Sequence, residues 1–335
     1  MSILDAISNF FGKTPTLSDM EKAVEGNNAE LLKKLAGRLS PEGLKTMVNP
    51  MLKKINGASM FAAIDGILKQ KKVAVTLTET DKKVVASNIG RRIHQNIDYL
   101  TVENVNFLRE NLSDDRKKFS LNSFTDKEGR TFYDKDNSPD KRRYFAVATE
   151  EEIGHEFRKL VVGLDTKKVD QFMESYKKAK GHDINPDVVN SKGMTGMWYM
   201  NYLMEKDGQN NADEAKRIEN MASFLYEKGA KLTDKDGKSI FSRASASVLG
   251  KLLPQMEEKN DSDGLKIVDQ MANWILENPS PSGRITMPSN MLHRAVEQEN
   301  IAKVKRTLEN PSPSGRIGPV DGNVLRKVLQ SSQGK

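Results

Sequence analysis

Apolar positions recur along most of the chain at helical spacing. Leu31, Leu32, Leu35 and Leu39 mark one face of a short segment, and Val84, Val85, Ile89 and Ile93 mark another within 81–97. Phe157, Leu160 and Val161 do the same further on. Start and stop signals fit this period. Ser18-Asp19-Met20-Glu21 reads as a capping box and Gly26-Asn27-Asn28 as a helix end. Ser40-Pro41-Glu42 supplies an N-cap and a first-turn proline for a helix that should end before Pro50. Helices are also expected at 58–68 and 102–112, then after Thr149-Glu150-Glu151-Glu152, and at 166–178 beyond the break Gly163-Leu164-Asp165. Strand-like alternation is confined to a weak stretch at 73–77. The fold class is therefore all-α.

The punctuation divides the chain into four parts. Residues 1–16 are expected to form a flexible leader, with Gly12 and Pro15 breaking any helix. Residues 17–112 form an irregular N-terminal helical part. Lys, Asp, Asn, Ser and Gly dominate 113–148, which reads as a loop or insertion. From 149 to 335 the pattern is one of short paired helices.

One string is repeated. Leu276-Glu277-Asn278-Pro279-Ser280-Pro281-Ser282-Gly283-Arg284-Ile285 recurs letter for letter at 308–317, an offset of 32 residues. A period of this size marks stacked helical units, each too small to bury its own apolar face. Duplication of a single unit accounts for the identity. The loops it creates would still present Arg284 and Arg316 at rigid tips facing a partner, and Ser280 and Ser312 precede proline.

Helix openings in this half share a grammar. They are Gly193-Met194-Thr195-Gly196-Met197-Trp198, Gly237-Lys238-Ser239-Ile240-Phe241-Ser242-Arg243-Ala244, Asn290-Met291-Leu292-His293-Arg294-Ala295, and Asn323-Val324-Leu325-Arg326. Helix ends read like Phe224-Leu225-Tyr226-Glu227-Lys228-Gly229-Ala230. These segments resemble ankyrin repeats, whose units open Gly-x-Thr-Pro-Leu-His-x-Ala and close Leu-Leu-x-x-Gly-Ala-Asp. The resemblance is best over 164–335 and fainter at Asp126-Lys127-Glu128-Gly129-Arg130-Thr131 and Ala23-Val24-Glu25-Gly26-Asn27. Only Leu292-His293-Arg294-Ala295 keeps the Leu-His-x-Ala core, and the family's proline is missing from every opening. The resemblance implies an ankyrin-like helix-pair solenoid that binds proteins. Such proteins occur in eukaryotic signalling and among those that intracellular bacteria deliver into host cells. This divergent, Lys- and Asn-rich chain suits the second origin.

Composition narrows the picture. The 335 residues include no cysteine, so disulfides and thiolate chemistry are excluded and a reducing, cytoplasmic setting is expected, or a host cytosol for a delivered protein. No run of 18 apolar residues is present, so no membrane span is expected. The net charge of +7 is concentrated at 67–120 and 284–335, without the aromatic interleaving of a nucleic-acid stripe.

Candidate chemistry is sparse. His94, His155, His182 and His293 lack metal-ligand spacing, and His293 sits at the ankyrin histidine position, where it would brace a loop. His155 follows Glu151 and Glu152 on one helix, a pairing a solvated face explains. Asp134, Asp136 and Asp140 lack the glycine and glutamate of a calcium loop, and no phosphate-binding glycine motif occurs. No cofactor or metal is expected. The densest patch is Met194, Met197, Trp198, Tyr199, Met200, Tyr202, Leu203 and Met204. Most of it reads as core, with Trp198 and Tyr199 as the partner-contact candidates beside Arg284 and Arg316.

The expected function is a non-enzymatic protein–protein interaction scaffold. Two alternatives remain open at this point. One is an enzyme or modifying module at 67–160 attached to the array. The other is a nucleic-acid binder using Lys71, Lys72, Arg91, Arg92, Arg116, Lys117 and Lys118.

Overall fold

A computed structural model of the protein describes residues 14–278 and 287–297, except 76, 114–118, 191, 209–210 and 235. The described residues are all-helical. They hold fifteen α-helices, short 3-10 turns and a π turn, and a single isolated bridge, Thr233 to Ser239, takes the place of any strand. The alternation at 73–77 forms no strand among them. Packing divides the chain into two compact units, 1–153 with 175–182, and 154–174 with 183–335.

The first unit holds α1 (Leu17–Glu25), α2 (Ala29–Gly37), α3 (Pro41–Lys54), α4 (Ala58–Gln70), α5 (Glu79–Gln95) and α6 (Val102–Leu112), then the short α7 (Phe132–Lys135) and α8 (Arg142–Val147). Here each helix packs on the next but one. α1 meets α3, α2 meets α4, α3 meets α5, α4 meets α6, α5 meets α7, and α6 meets α8. The pairs are also tied by side chains reaching one pair back. Asn56 donates to the Glu25 carbonyl 31 residues away, Lys71 to that of Gly37 at 34, and Asn88 to that of Lys53 at 35.

Local chemistry sets the boundaries. Thr16 and Asp19 form the capping box of α1, two residues before the box expected at Ser18, because Leu17 already has helical backbone. Ser40 caps α3 with Pro41 in its first turn, as its sequence indicates. That helix does not stop before Pro50, however. It runs through the proline to Lys54, because Met51 and Leu52 continue the buried face begun by Leu44 and Val48. Their burial outweighs the missing donor. α1 and α4 end alike, with Asn27 and Lys72 left-handed at φ near 50° and the following N–H bonded back to Ala23 and Leu68.

Residues 113–148 depart from the loop reading. Besides α7 and α8 they contain 3-10 turns at Leu121–Ser123 and Pro139–Lys141, and Leu121, Phe132, Tyr144 and Phe145 are fully buried. Their aromatic residues are irregularly spaced, so they pack as a cluster without producing a helical period. His94 of α5 joins this cluster, stacked on Phe124 at 5.1 Å and on Phe132 at 4.4 Å. One turn earlier, a Cβ at Gly90 would meet Phe124 at 2.5 Å. Asp126 accepts from Arg130 and Lys135 beside this stack. Burial pushes its carboxyl up, but the Arg130 backbone N–H and the two cations more than offset this and hold it well below the ordinary range.

α9 (Glu150–Val162) and α10 (Thr166–Lys180) each contribute to both units. The capping box at Thr149 and Glu152 forms as its sequence indicates. The second unit continues with α11 (Gly196–Leu203), α12 (Ala212–Glu227), α13 (Ala246–Glu258), α14 (Ser262–Glu277) and α15 (Ser289–Glu297). Consecutive helices from α11 to α15 pack on one another, and α13 also meets α15. Ties of about the same span recur, from Gln255 to Ser223 at 32 residues and from Lys259 to the Tyr226 carbonyl at 33. The helix expected to open at Gly237 starts instead at Ala246. Gly237 has φ +75°, and Asp234, Gly237 and Lys238 close a turn before it.

That turn occurs three times among the described residues. At Asp126, Asn190 and Asp234 the side-chain oxygen accepts the N–H groups two and four residues on. The backbone N–H of the same residue donates to the carbonyl four residues on, and the glycine three residues on closes the loop. Gly129, Gly193 and Gly237 all have φ between 74° and 76°. A Thr or Ser follows two residues after each glycine, and Thr131 and Thr195 cap α7 and α11.

Two outcomes test this packing. Gly90→Ala should destabilise the protein by roughly 1–3 kcal/mol, read from the urea midpoint, because Phe124 is wedged in the ring stack and has little room to yield. Burial, reinforced by the Lys135 ammonium, holds His94 below its ordinary value, against a smaller opposing pull from Asp126. As pH falls the unfolded chain therefore takes up this proton first. Stability from this group is intact above about pH 6.5 and declines as pH falls from there through the depressed folded value. His94→Phe should flatten that decline, measured as urea midpoint against pH.

Candidate functional site

The site is built outward from the turn at Asn190. Thr195 caps α11 by accepting from Trp198 N–H, and Gly196 begins the helix beside Val161 and Leu225. Met197, Met200 and Met204 point into the core, at most 2% exposed, and anchor one face. Asn201 on that face is also buried, and its Oδ1 accepts from the Ser245 hydroxyl and the Ser242 N–H. With four inward positions satisfied, the helix must turn Trp198, Tyr199 and Tyr202 outward. Trp198 and Tyr199 are half-buried and Tyr202 is 41% exposed.

These three rings form one surface. Trp198 stacks on Tyr202 at 5.5 Å with planes 10° apart, and meets Tyr199 edge-on at 5.4 Å. Asn190 Nδ2 donates to the Tyr199 hydroxyl at 3.0 Å, so the turn fixes the ring. Beyond α11 the backbone widens into a π turn, Met204–Gly208, a device frequent at functional sites. Its solvent side carries Glu205, Lys206 and Asp207. The sequence brought Trp198 and Tyr199 forward as candidates. It did not single out Tyr202, although its i+4 spacing from Trp198 is the signal for the stack. The other two candidates, Arg284 and Arg316, lie outside the described residues.

Much of the other chemistry considered is committed to structure among the described residues, although His155, Lys72 and Arg91 are exposed. Glu152, only 6% exposed at its side chain, accepts from Leu121 N–H, Thr149 N–H and hydroxyl, and Arg109 at 2.6 Å. His155 is exposed. Asp134 caps Thr131, Asp136 accepts from the Ser138 and Tyr144 N–H groups, and Asp140 pairs with Lys178. Among the described residues no group of carboxylates and histidines could hold a metal ion. Of the cations considered for nucleic acid, Lys71 donates to the Gly37 and Leu39 carbonyls and Arg92 to Tyr99, while 116–118 lie outside the described residues. His293 is half-buried on α15, where its neighbour Arg294 holds Asp269 through two nitrogens. No described helix is long and apolar enough to cross a membrane.

One concavity was not foreseen from sequence. A groove of about 790 Å³ lies between the turn after α12 and the start of α14, lined by Tyr226, Leu232, Lys259, Asp261, Lys266 and Ile267 among others. Its polar groups answer one another. Tyr226 donates to Asp261 at 2.6 Å, Asp261 caps α14 through Gly264 N–H, and Lys259 lies over the Tyr226 ring. Burial and this carboxylate push the Tyr226 hydroxyl far above the ordinary phenol range. No protein-family model, curated protein or solved structure matches the chain.

Glu152→Gln should destabilise the protein by roughly 2–4 kcal/mol, because it strips a buried carboxylate from the Arg109 guanidinium and the cap of α9. Thermal unfolding followed by circular dichroism checks this.

Proposed function

We propose that the chain is a non-enzymatic protein-interaction scaffold built from ankyrin-like helix pairs, with the α11 aromatic face as its partner-binding surface. The single observation that carries this reading is the turn repeated at Asp126, Asn190 and Asp234. The same hydrogen bonds, the same glycine conformation and the same following Thr or Ser recur, and this is the arrangement the ankyrin resemblance calls for at a unit boundary. Next-but-one packing of α1 to α8 and side-chain ties spanning 31 to 35 residues support it, since both follow from units of about that length laid side by side.

In this reading partners are recognised by shape. Turn tips and first-helix faces form the contact surface, and rigid elements lose little ordering entropy on binding. Trp198 and Tyr199 act as anchors. A cysteine-free chain suits a reducing cytosol, including that of a host cell into which such a protein is delivered.

The test is affinity purification from the native cell with quantitative mass spectrometry, comparing the wild-type chain with Trp198→Ala/Tyr199→Ala. A protein retained by the wild type should fall at least tenfold with the variant, whose helical circular-dichroism signal is unchanged. Equal retention by both chains would refute the proposed surface.

A further inference from the structure

His94 occupies a place where a phenyl ring would pack better. It is 9% exposed, its plane lies 13° from the Phe124 ring and 29° from the Phe132 ring, and neither of its nitrogens makes a hydrogen bond. A neutral imidazole brings one N–H donor and one acceptor, and sealing both away unpaired costs stability that phenylalanine would not. A buried group left in that condition calls for a reason.

The ring cluster seats one stretch of chain on α5. Phe124 comes so close to Gly90 that a Cβ there would meet it at 2.5 Å, and Phe132 opens α7, which packs on the same helix. The two ends of this stretch are anchored without His94. At one end Glu152 Oε1 accepts from Leu121 N–H and the Glu152 carbonyl from the Asn122 amide. At the other Tyr133 meets Tyr144 edge-on, and its carbonyl accepts from Lys141. Between the anchors lie Phe124, the closed turn at Asp126 and Phe132.

An imidazolium at position 94 would find no free counter-charge. The elements packed on α5 are α3, α6, the 3-10 turn Ile97–Tyr99 and α7. Arg92 turns to the Tyr99 hydroxyl and Arg109 to Glu152, and the charged groups that act on the imidazole are Lys135 and Asp126. Lys135 is a like charge. Asp126 is already spent, since its Oδ1 accepts from the Glu128 and Arg130 N–H groups and its Oδ2 from the Arg130 guanidinium and Lys135. Phenyl faces attract a cation, but two N–H groups without partners in a dry site cost more than that attraction returns.

We infer that His94 is a proton-operated latch: neutral, it keeps residues 123–132 seated on α5, and protonated, it releases them while the anchors at Leu121, Asn122 and Tyr133 hold. Burial and then Lys135 lower the proton affinity of the seated ring, against weaker pulls from Asp126 and the Phe124 backbone. The released stretch therefore takes up the proton more readily than the seated one. Release gains ground as pH falls below about 6.5, the ordinary histidine value, and bares the faces of Phe124 and Phe132.

Amide hydrogen exchange on the full-length chain, read by mass spectrometry and corrected for the intrinsic rate at each pH, tests the latch. Between about pH 7.5 and about pH 5 the protection of residues 123–132 should fall at least tenfold, while that of α12 and α13 is kept. His94→Phe should hold the protection of 123–132 at both values. If that variant fails to fold, Lys135→Met decides instead. With the like charge gone and Asp126 Oδ2 partly freed, the acid loss should shrink at least threefold. Protection of 123–132 that acid leaves unchanged, or that falls equally in these variants, overturns the latch. So does a loss shared by the whole chain, which would be global unfolding.

Discussion

Helix against helix at the distance of one pair is the contact on which everything else depends. α1 and α2 have nine residues each, and isolated helices shorter than about 12–15 residues are marginal in water. Each must therefore bury apolar surface on its pair partner and again on a neighbouring pair. α4 shows the result: Ala58, Met60, Phe61, Ile64, Ile67 and Leu68 are buried, a stripe wider than one contact would use. Such packing needs no shared centre, so deep polar cavities are not its natural product.

Side-by-side packing also dictates the turns. Each connection must return the chain at a fixed angle, which a left-handed residue or a closed side-chain turn does cheaply. Asp and Asn can both close the turn through an oxygen. Only the amide has a donor to spare, and at Asn190 that donor holds the Tyr199 hydroxyl. Asp126 and Asp234 spend a second oxygen or none, with Asp126 taking the Arg130 guanidinium. One chemical choice at an otherwise equivalent position thus couples a structural turn to the aromatic face.

How far the sequence spoke depends on the range of the interaction. Caps at Ser40 and Thr149, the helix at Val102–Leu112 and the break at Leu164 are local, and residues within four positions announce them. Pro50 misled because the burial of Met51 and Leu52 is a tertiary matter that no local rule contains. Residues 113–148 misled for the same reason. Phe124, Phe132, Tyr144 and Phe145 have no period, and the Glu152 carboxylate that binds Leu121 N–H lies 31 residues away. At α11 the cluster itself was legible. Which members face outward was not, since that was settled by the burial of Met197, Met200 and Met204 and by Asn201 reaching Ser245 44 residues on.

The methionines on the inward face of α11 bear on how that helix is seated. A helix seated on β-branched residues would be fixed in one shape, whereas thioether side chains repack with little strain. Gly208 lies so close to Met204 that a Cβ there would meet its sulfur at 2.5 Å, so the π turn and the methionine layer are fitted to each other. The turn at Asn190 meanwhile holds the N-terminal edge of the outward face through the Tyr199 hydroxyl.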